Sequence, residues 1–190
     1  MTDHRQVPDA ARAVRTPLLR LAHAAEEADA LDAPVALVGG WARRLLADDR
    51  LRATLRGAPL GHALHPLMTD VPLGLWMSAS VLDLGGHSRA AKRLVGLGVL
   101  AALPTVATGL ADWSVSGDRI RRVGVVHAAG NAVGLALYSA SWLARRRGHH
   151  RSGALAALAG ATMVGVGGYL GGHMAYPLGG PPEDPTLPPR

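Results

Sequence analysis

The distribution of hydrophobic and polar residues changes near residue 60, where a polar, charged segment gives way to long, nearly uncharged runs. Four runs have membrane-spanning length, and they cover residues 64–84, 94–113, 123–143 and 153–176. Each approaches the roughly 20 residues that cross about 30 Å of hydrocarbon as a helix. A soluble helix shows a polar face about every 3.6 residues, and the run LVGLGVLAALPTVATGL has none. The pattern therefore predicts four transmembrane helices.

Short basic links join the predicted spans: GGHSRAAKR, SVSGDRIRR and ARRRGHHRS. Short links force neighbouring helices to run antiparallel, so we expect an all-α fold with an up-down-up-down four-helix bundle. Pro66 suits the first turn of the first span, where its missing N–H costs nothing. Pro72 and Pro104 lie inside spans and are expected to kink them.

A polar segment, residues 1–57, precedes this domain of residues 58–178. Its pattern predicts one short amphipathic helix over residues 17–31, ended by Pro34, and a second over residues 41–55. Such helices either lie along a membrane surface or pack on the rest of the chain. The first 15 residues lack the apolar core of a secretory signal.

Composition narrows the classes of function. The chain has 24 glycines and no cysteine. Glycine is frequent where membrane helices approach closely, and the absence of cysteine excludes disulfides, cysteine-ligated zinc and iron–sulfur clusters within this chain. The formal charge of +6 comes from basic residues that flank apolar runs, so anionic lipid headgroups are favoured over nucleic acid as partners. Residues 179–190 are Pro-rich and predicted to be disordered.

Alternating helix directions bring ionisable residues to one end of the predicted bundle. They are His62, His65, Asp112, His127 and His173, with Asp70 one turn deeper. Hydrocarbon penalises ionisable groups by several kcal/mol, so such residues are functional candidates by default. The sequence predicts a one-sided histidine and aspartate site near one membrane surface. A proton or quinone site without a cofactor and a purely structural polar network are alternatives.

Two cofactor chemistries fit this group of residues. In the first, two of His65, His127 and His173, with His62 as a further candidate, provide axial ligands to a b-type haem. Small residues beside a porphyrin are available in the fourth span, and basic side chains for the propionates are available at the start of the third. These are Gly165, Gly168, Gly172, Arg119, Arg121 and Arg122.

The second chemistry is a non-haem transition-metal site with mixed imidazole and carboxylate ligands. Its candidates are His65, Asp70, Asp112, His127 and His173. Asn131, Tyr169 and Tyr176 lie one turn from candidate ligands and could donate hydrogen bonds to them.

The other ionisable groups have ordinary interpretations. Asp83 is expected to cap a helix end or to pair with Arg89 or Lys92. The histidines of the loops and of the polar segment, which are His4, His23, His87, His149 and His150, are expected to be solvated. The sequence shows no nucleophile–base pair and no phosphate-binding glycine loop, which argues against a hydrolase or kinase.

Four motifs, in this order, are similar to those of an uncharacterised bacterial four-span membrane domain: GHALHPLMTDVPLGLW, LAALPTVATGLADW, RRVGVVHAAGN and GGYLGGHMAYPLG. The resemblance covers about residues 58 to 180. Some members are fused to Rieske or c-type cytochrome domains, which implies a redox accessory. The matching positions are His65, Pro66, Asp70, Pro72, Asp112, Trp113, His127 and His173. Asp70 is often histidine in relatives, and both residue types bind metals.

The sequence thus predicts a multi-pass protein of the bacterial inner membrane with a cytoplasmic N-terminus. The leading hypothesis is electron transfer through haem b, with quinone and a separate iron–sulfur or cytochrome protein as partners, rather than a stand-alone enzyme. A metal-binding or metal-transporting protein and a membrane scaffold are the alternatives. Homo-oligomerisation is left open.

Overall fold

The computed structural model describes residues 16–181, so predictions about residues 1–15 and most of the Pro-rich tail lie outside the described residues. The described chain is entirely helical, as predicted. Its seven α-helices are α1 (Pro17–Glu27), α2 (Asp32–Leu45), α3 (Asp49–Arg56), α4 (Leu64–Leu84), α5 (Ser88–Ser114), α6 (Asp118–Arg146) and α7 (His150–Ala175). Short 3₁₀ turns at Asp29–Leu31 and Ala58–Leu60 complete the elements.

Three of these helices, α5, α6 and α7, are long and apolar enough to cross a membrane. The remaining predicted span, residues 64–84, corresponds to α4, which is not among them. Its 21 residues include His65, Asp70 and Asp83, and these lower its apolar character. Exposed apolar side chains line the outer faces of all four helices, including Leu67, Met77, Leu100, Val133, Leu143 and Leu158.

Helices α4 and α5 form an antiparallel hairpin. Near one end, the Thr105 hydroxyl donates a hydrogen bond to the Met68 carbonyl oxygen over 2.8 Å. Further along, the Trp76 indole N–H donates to the Val95 carbonyl oxygen over 3.3 Å. The indole lies against Gly98, where a Cβ would come within 2.6 Å of the Trp76 Cδ1 atom.

Helices α6 and α7 form a second antiparallel hairpin. The Ser141 hydroxyl donates to the Gly153 carbonyl oxygen over 2.6 Å. At Gly160, a Cβ would lie 3.1 Å from the Tyr138 ring. Glycine therefore permits the close approach of these helices.

The two hairpins correspond residue by residue at a constant spacing of 62 positions, the spacing of Asp83 and Arg145. Trp76 corresponds to Tyr138, and their rings stack with centroids 3.9 Å apart. The hairpin turns also correspond, because Gly86 and Gly148 both adopt positive φ, 75° and 84°. The chain thus contains an internal structural repeat of a helical hairpin, with α4 contacting α6 across its axis.

Asp83 pairs with Arg145 of α6, not with Arg89 or Lys92 as expected. Two hydrogen bonds of 2.7 and 2.6 Å join the Arg145 guanidinium to the two Asp83 carboxylate oxygens. Arg145 is only 1% exposed. Arg145 and Asp83 occupy corresponding positions of the two hairpins, so the repeat brings two opposite charges into contact.

The N-terminal helices pack on both hairpins. Ala22 and Ala25 of α1 form a buried cluster with Val123 and Leu170. Arg122, at the start of α6, bonds with its side chain to the carboxylates of Asp29 and Asp32 at 2.7 Å each.

Two helix boundaries differ from prediction. Pro34 does not end a helix but lies within the first turn of α2, where its missing N–H is tolerated. The second predicted helix is interrupted, because the Asp48 side chain accepts hydrogen bonds from the N–H groups of Arg50 and Leu51 and thereby begins α3.

Candidate functional site

His65 lies in the first turn of α4 and contacts α5. Its Nδ1 atom is 3.1 Å from the Thr105 carbonyl oxygen and 3.2 Å from the Thr108 hydroxyl. A carbonyl oxygen only accepts hydrogen bonds, so Nδ1 carries the proton and donates it. The neutral His65 ring consequently has its lone pair on Nε2.

His127 of α6 has the same arrangement against α7. Its Nδ1 atom is 2.8 Å from the Gly167 carbonyl oxygen, so it too donates from Nδ1. The Asn131 amide nitrogen is 3.1 Å from Nε2, which can accept a hydrogen bond from that amide. Asn131 therefore contacts the His127 ring, where the sequence had placed it as a hydrogen-bonding neighbour.

His65 and His127 are corresponding residues of the repeat, 62 positions apart. Each imidazole lies against a glycine of its partner helix. A Cβ at Gly109 would be 2.7 Å from the His65 Cε1 atom, and one at Gly171 would be 3.3 Å from the His127 Cε1 atom. The space for both rings thus depends on glycines that also correspond in the repeat.

The predicted carboxylates lie elsewhere. Asp70 is on an exposed position of α4. Asp112 is buried, and its carboxylate oxygen is 3.5 Å from the Arg56 Nε atom. His62 is exposed. Within residues 16–181, no third histidine or carboxylate completes a three-ligand group with His65 and His127.

The arginines and tyrosines singled out in the sequence have varied surroundings. Arg122 binds Asp29 and Asp32, whereas Arg121 donates to the Ser114 carbonyl oxygen over 2.7 Å. Arg119 and Tyr176 are exposed, and Tyr169 packs against the buried cluster beneath α1.

His173 belongs to a second group, formed with α1. Its Nε2 atom is 2.7 Å from the Glu26 Oε1 atom, and its ring centroid is 5.7 Å from that of His23. His23, expected to be solvated, is half-buried here. The sequence contained a signal for this group, because His23 and Glu26 are three residues apart and three-residue spacing places side chains on one helix face.

These features define a helical protein of membrane character built from two repeated hairpins, each with a partly buried histidine between its two helices. The chain belongs to the family described as predicted membrane protein (DUF2231), whose match covers residues 61–180. The resemblance inferred from the four motifs is therefore confirmed. Comparisons with curated proteins and with solved structures find no match.

Proposed function

We propose that α4 to α7 form a membrane-spanning up-down-up-down bundle in which His65 and His127 hold a b-type haem for electron transfer. The observation that carries this proposal is the pair of corresponding imidazoles, each fixed through Nδ1 to a backbone carbonyl oxygen. Histidines that bind metals characteristically donate the other ring N–H in this way, which sets the tautomer and the ring orientation.

The case for α4 as a fourth span rests on length and surface. At 1.5 Å per residue, its 21 residues extend about 30 Å, which matches the hydrocarbon thickness of a bilayer. Leu67, Met77 and Val81 are 57%, 69% and 68% exposed on its outer face. Such a surface suits lipid contact.

The number of protein ligands favours haem over a non-haem ion. Mixed imidazole and carboxylate coordination needs carboxylates beside the histidines, but Asp70 is exposed and Asp112 pairs with Arg56. Two imidazoles alone suit a metal that brings its other ligands with it, and porphyrin iron does so. Bound haem would supply an iron centre that accepts and releases single electrons.

The chain's own residues would then fix the two ligands. Thr105 and Gly167 carbonyl oxygens orient the rings, and Gly109 and Gly171 leave room for them. If Nε2 of His127 bound iron, Asn131 would lose its contact with that nitrogen. The redox partners would be quinone and a separate iron–sulfur or cytochrome protein, since the chain has no cysteine. The bacterial inner membrane and the cytoplasmic N-terminus stay predictions.

Absorbance spectroscopy tests this proposal. The full chain, produced in a bacterial host supplied with a haem precursor and purified in detergent, should show a reducible Soret band and about one haem per chain. His65→Ala and His127→Ala should each reduce haem content at least tenfold. His62→Ala is the matched control, because His62 is exposed in the same segment, and it should retain full haem content.

Circular dichroism and gel filtration would establish that each variant is folded. A folded, colourless parent protein would contradict the haem assignment. If such a protein contained stoichiometric metal that His65→Ala and His127→Ala removed, the non-haem alternative would replace it. Full haem content in the double variant would exclude this pair as the ligands.

A further inference from the structure

A second group of potential ligands joins the first helix to the last. His23 and Glu26 share one face of α1, and His173 lies near the end of α7. Their ligand atoms, two imidazole nitrogens and one carboxylate oxygen, all lie within 4.8 Å of one another. Within residues 16–181, this is the group of three or more histidine or acidic side chains that meets such a distance.

The donor set has the chemistry of a divalent transition-metal site. Two histidines and one glutamate bind zinc in many proteins, with a fourth position left for water or another ligand. Tetrahedral zinc with bonds of about 2.1 Å holds its ligand atoms about 3.4 Å apart. The observed spacing therefore needs only small side-chain movements, including a slight widening of the 2.7 Å contact between Glu26 and His173.

The surroundings hold these ligands in place. The side chains of His173 and Glu26 are only 5% and 11% exposed. Ala22 and Ala25 fix α1 against α6 and α7 through the buried cluster with Val123 and Leu170.

The local charges also permit a cation. Arg122 contacts α1, and its Nη1 atom donates to the Glu26 backbone carbonyl oxygen over 3.3 Å. Its charge is balanced by Asp29 and Asp32. The Glu26 carboxylate contacts the His173 ring, which would itself be a ligand of the same metal ion.

We propose that His23, Glu26 and His173 bind one divalent transition-metal ion of the zinc class, which fastens the N-terminal helix α1 to the end of α7. This site uses neither His65 nor His127 and does not depend on the haem proposal. In the structure, His173 and Glu26 share a hydrogen bond, and the His23 ring packs edge-on against His173.

Cobalt titration tests the site, because tetrahedral Co²⁺ absorbs visible light and zinc displaces it. The full-length protein, stripped with a chelator and purified in detergent, should bind one Co²⁺ with a visible spectrum that Zn²⁺ abolishes. His23→Ala and Glu26→Gln should weaken binding at least tenfold. Both residues lie on α1 outside the apolar spans, so these variants should fold.

Two controls separate the outcomes. His149→Ala removes an exposed histidine at the opposite end of α7 and should bind Co²⁺ as the parent does. The variant His65→Ala with His127→Ala should also bind Co²⁺ normally, which distinguishes failure of this site from failure of the haem proposal. Zinc should raise the melting temperature of the parent protein but not of Glu26→Gln.

Absence of saturable binding at one equivalent would overturn the proposal. Equal Co²⁺ affinity in the parent, His23→Ala and Glu26→Gln would overturn it as well, since the metal would then be bound elsewhere.

Discussion

The two hairpins keep the same residue at some corresponding positions and complementary residues at others. The histidines and the glycines beneath them are the same in both hairpins: His65 and His127, Gly109 and Gly171. At two other pairs the residues are unlike. Trp76 stacks on Tyr138, and Asp83 binds Arg145.

This difference separates two physical demands. Residues that meet across the repeat axis are stabilised by being unlike, since two aspartates or two arginines in contact would repel each other. Two equivalent ligands of one central group favour the same residue type, because each then presents the same nitrogen in the same orientation. His65 and His127 meet that demand, but identity at corresponding positions does not by itself mark a ligand, because the exposed His87 and His149 also correspond.

Removing either partner of the Asp83–Arg145 ion pair should cause the largest loss of stability. Arg145 is 1% exposed and bound by two hydrogen bonds to Asp83, and removing one partner of such a pair strands the other. Arg145→Ala and Asp83→Ala should each lower the free energy of unfolding in detergent by about 3–5 kcal/mol. The exposed Arg147 offers the control, and Arg147→Ala should leave stability within about 0.5 kcal/mol.

Exchanging the two charged residues tests whether the hairpins correspond at this level. A Cβ at Gly153 would be 2.5 Å from the Arg145 Cγ atom, whereas the corresponding position in the first hairpin is the fully buried Ala91. The swap Asp83→Arg with Arg145→Asp should therefore regain stability only when Ala91→Gly is added. Equal stability with and without Ala91→Gly would show that the hairpins do not correspond at this level.

A pair of matched glycine substitutions should give an intermediate effect. At Gly98 a new Cβ would lie 2.6 Å from the Trp76 Cδ1 atom, and at Gly160 it would lie 3.1 Å from the Tyr138 ring. Overpacking costs about 1–3 kcal/mol, while alanine gains about 1 kcal/mol of helix propensity over glycine. Gly98→Ala, with the closer contact, should thus destabilise the protein by up to about 2 kcal/mol, and Gly160→Ala should be nearly neutral.

Thermal unfolding followed by circular dichroism would measure this difference. Gly165 is the control, because nothing lies within 4 Å of a Cβ built there, and Gly165→Ala should not destabilise. If Gly160→Ala were the more damaging of the two substitutions, the ring contacts of the two hairpins would not be as described.

Hydropathy predicted the helices well because burial in lipid or protein requires long apolar runs. The predicted spans fall within or beside α4, α5, α6 and α7. The hydropathy pattern missed the polar first turns of α5 and α6. Direction around the helix axis was harder to predict. His173 follows Gly171 by two residues, a rotation of about 200°, so it cannot share the face that Gly171 presents to His127.

The sequence did not show on which side of each helix a residue lies. Depth along a span follows from residue number, and depth alone grouped His65 and His127 with His173 and Asp112, which the structure places in other contacts. The repeat at 62 positions pairs His65 with His127, and it also pairs the exposed His87 with His149. The contact between His173 and Glu26 joins residues 147 positions apart, and no local pattern predicts a pairing of that kind.

The smallest expected effect concerns the contacts of the N-terminal helices, which differ between the two hairpins. Arg122 binds Asp29 and Asp32 from the second hairpin, whereas the corresponding residue of the first is the exposed Leu60. The hydrogen bond from Arg122 holds the pKa of the Asp32 carboxyl below its usual value. A lowered pKa means that the contact stabilises α2 at neutral pH and is lost as the pH falls through the pKa of Asp32 in the folded protein.

Hydrogen exchange of the α2 amides, corrected for the intrinsic pH dependence of exchange, measures this contact. Protection in the parent protein should fall modestly on acidification, because Asp32 is exposed to solvent and screened. In Asp32→Asn, protection should already be reduced at neutral pH and should change less with acid. Identical acid responses of α2 in the parent and in Asp32→Asn would mean that Arg122 does not fasten α2 through this carboxylate, and the N-terminal helices would then depend on apolar packing alone.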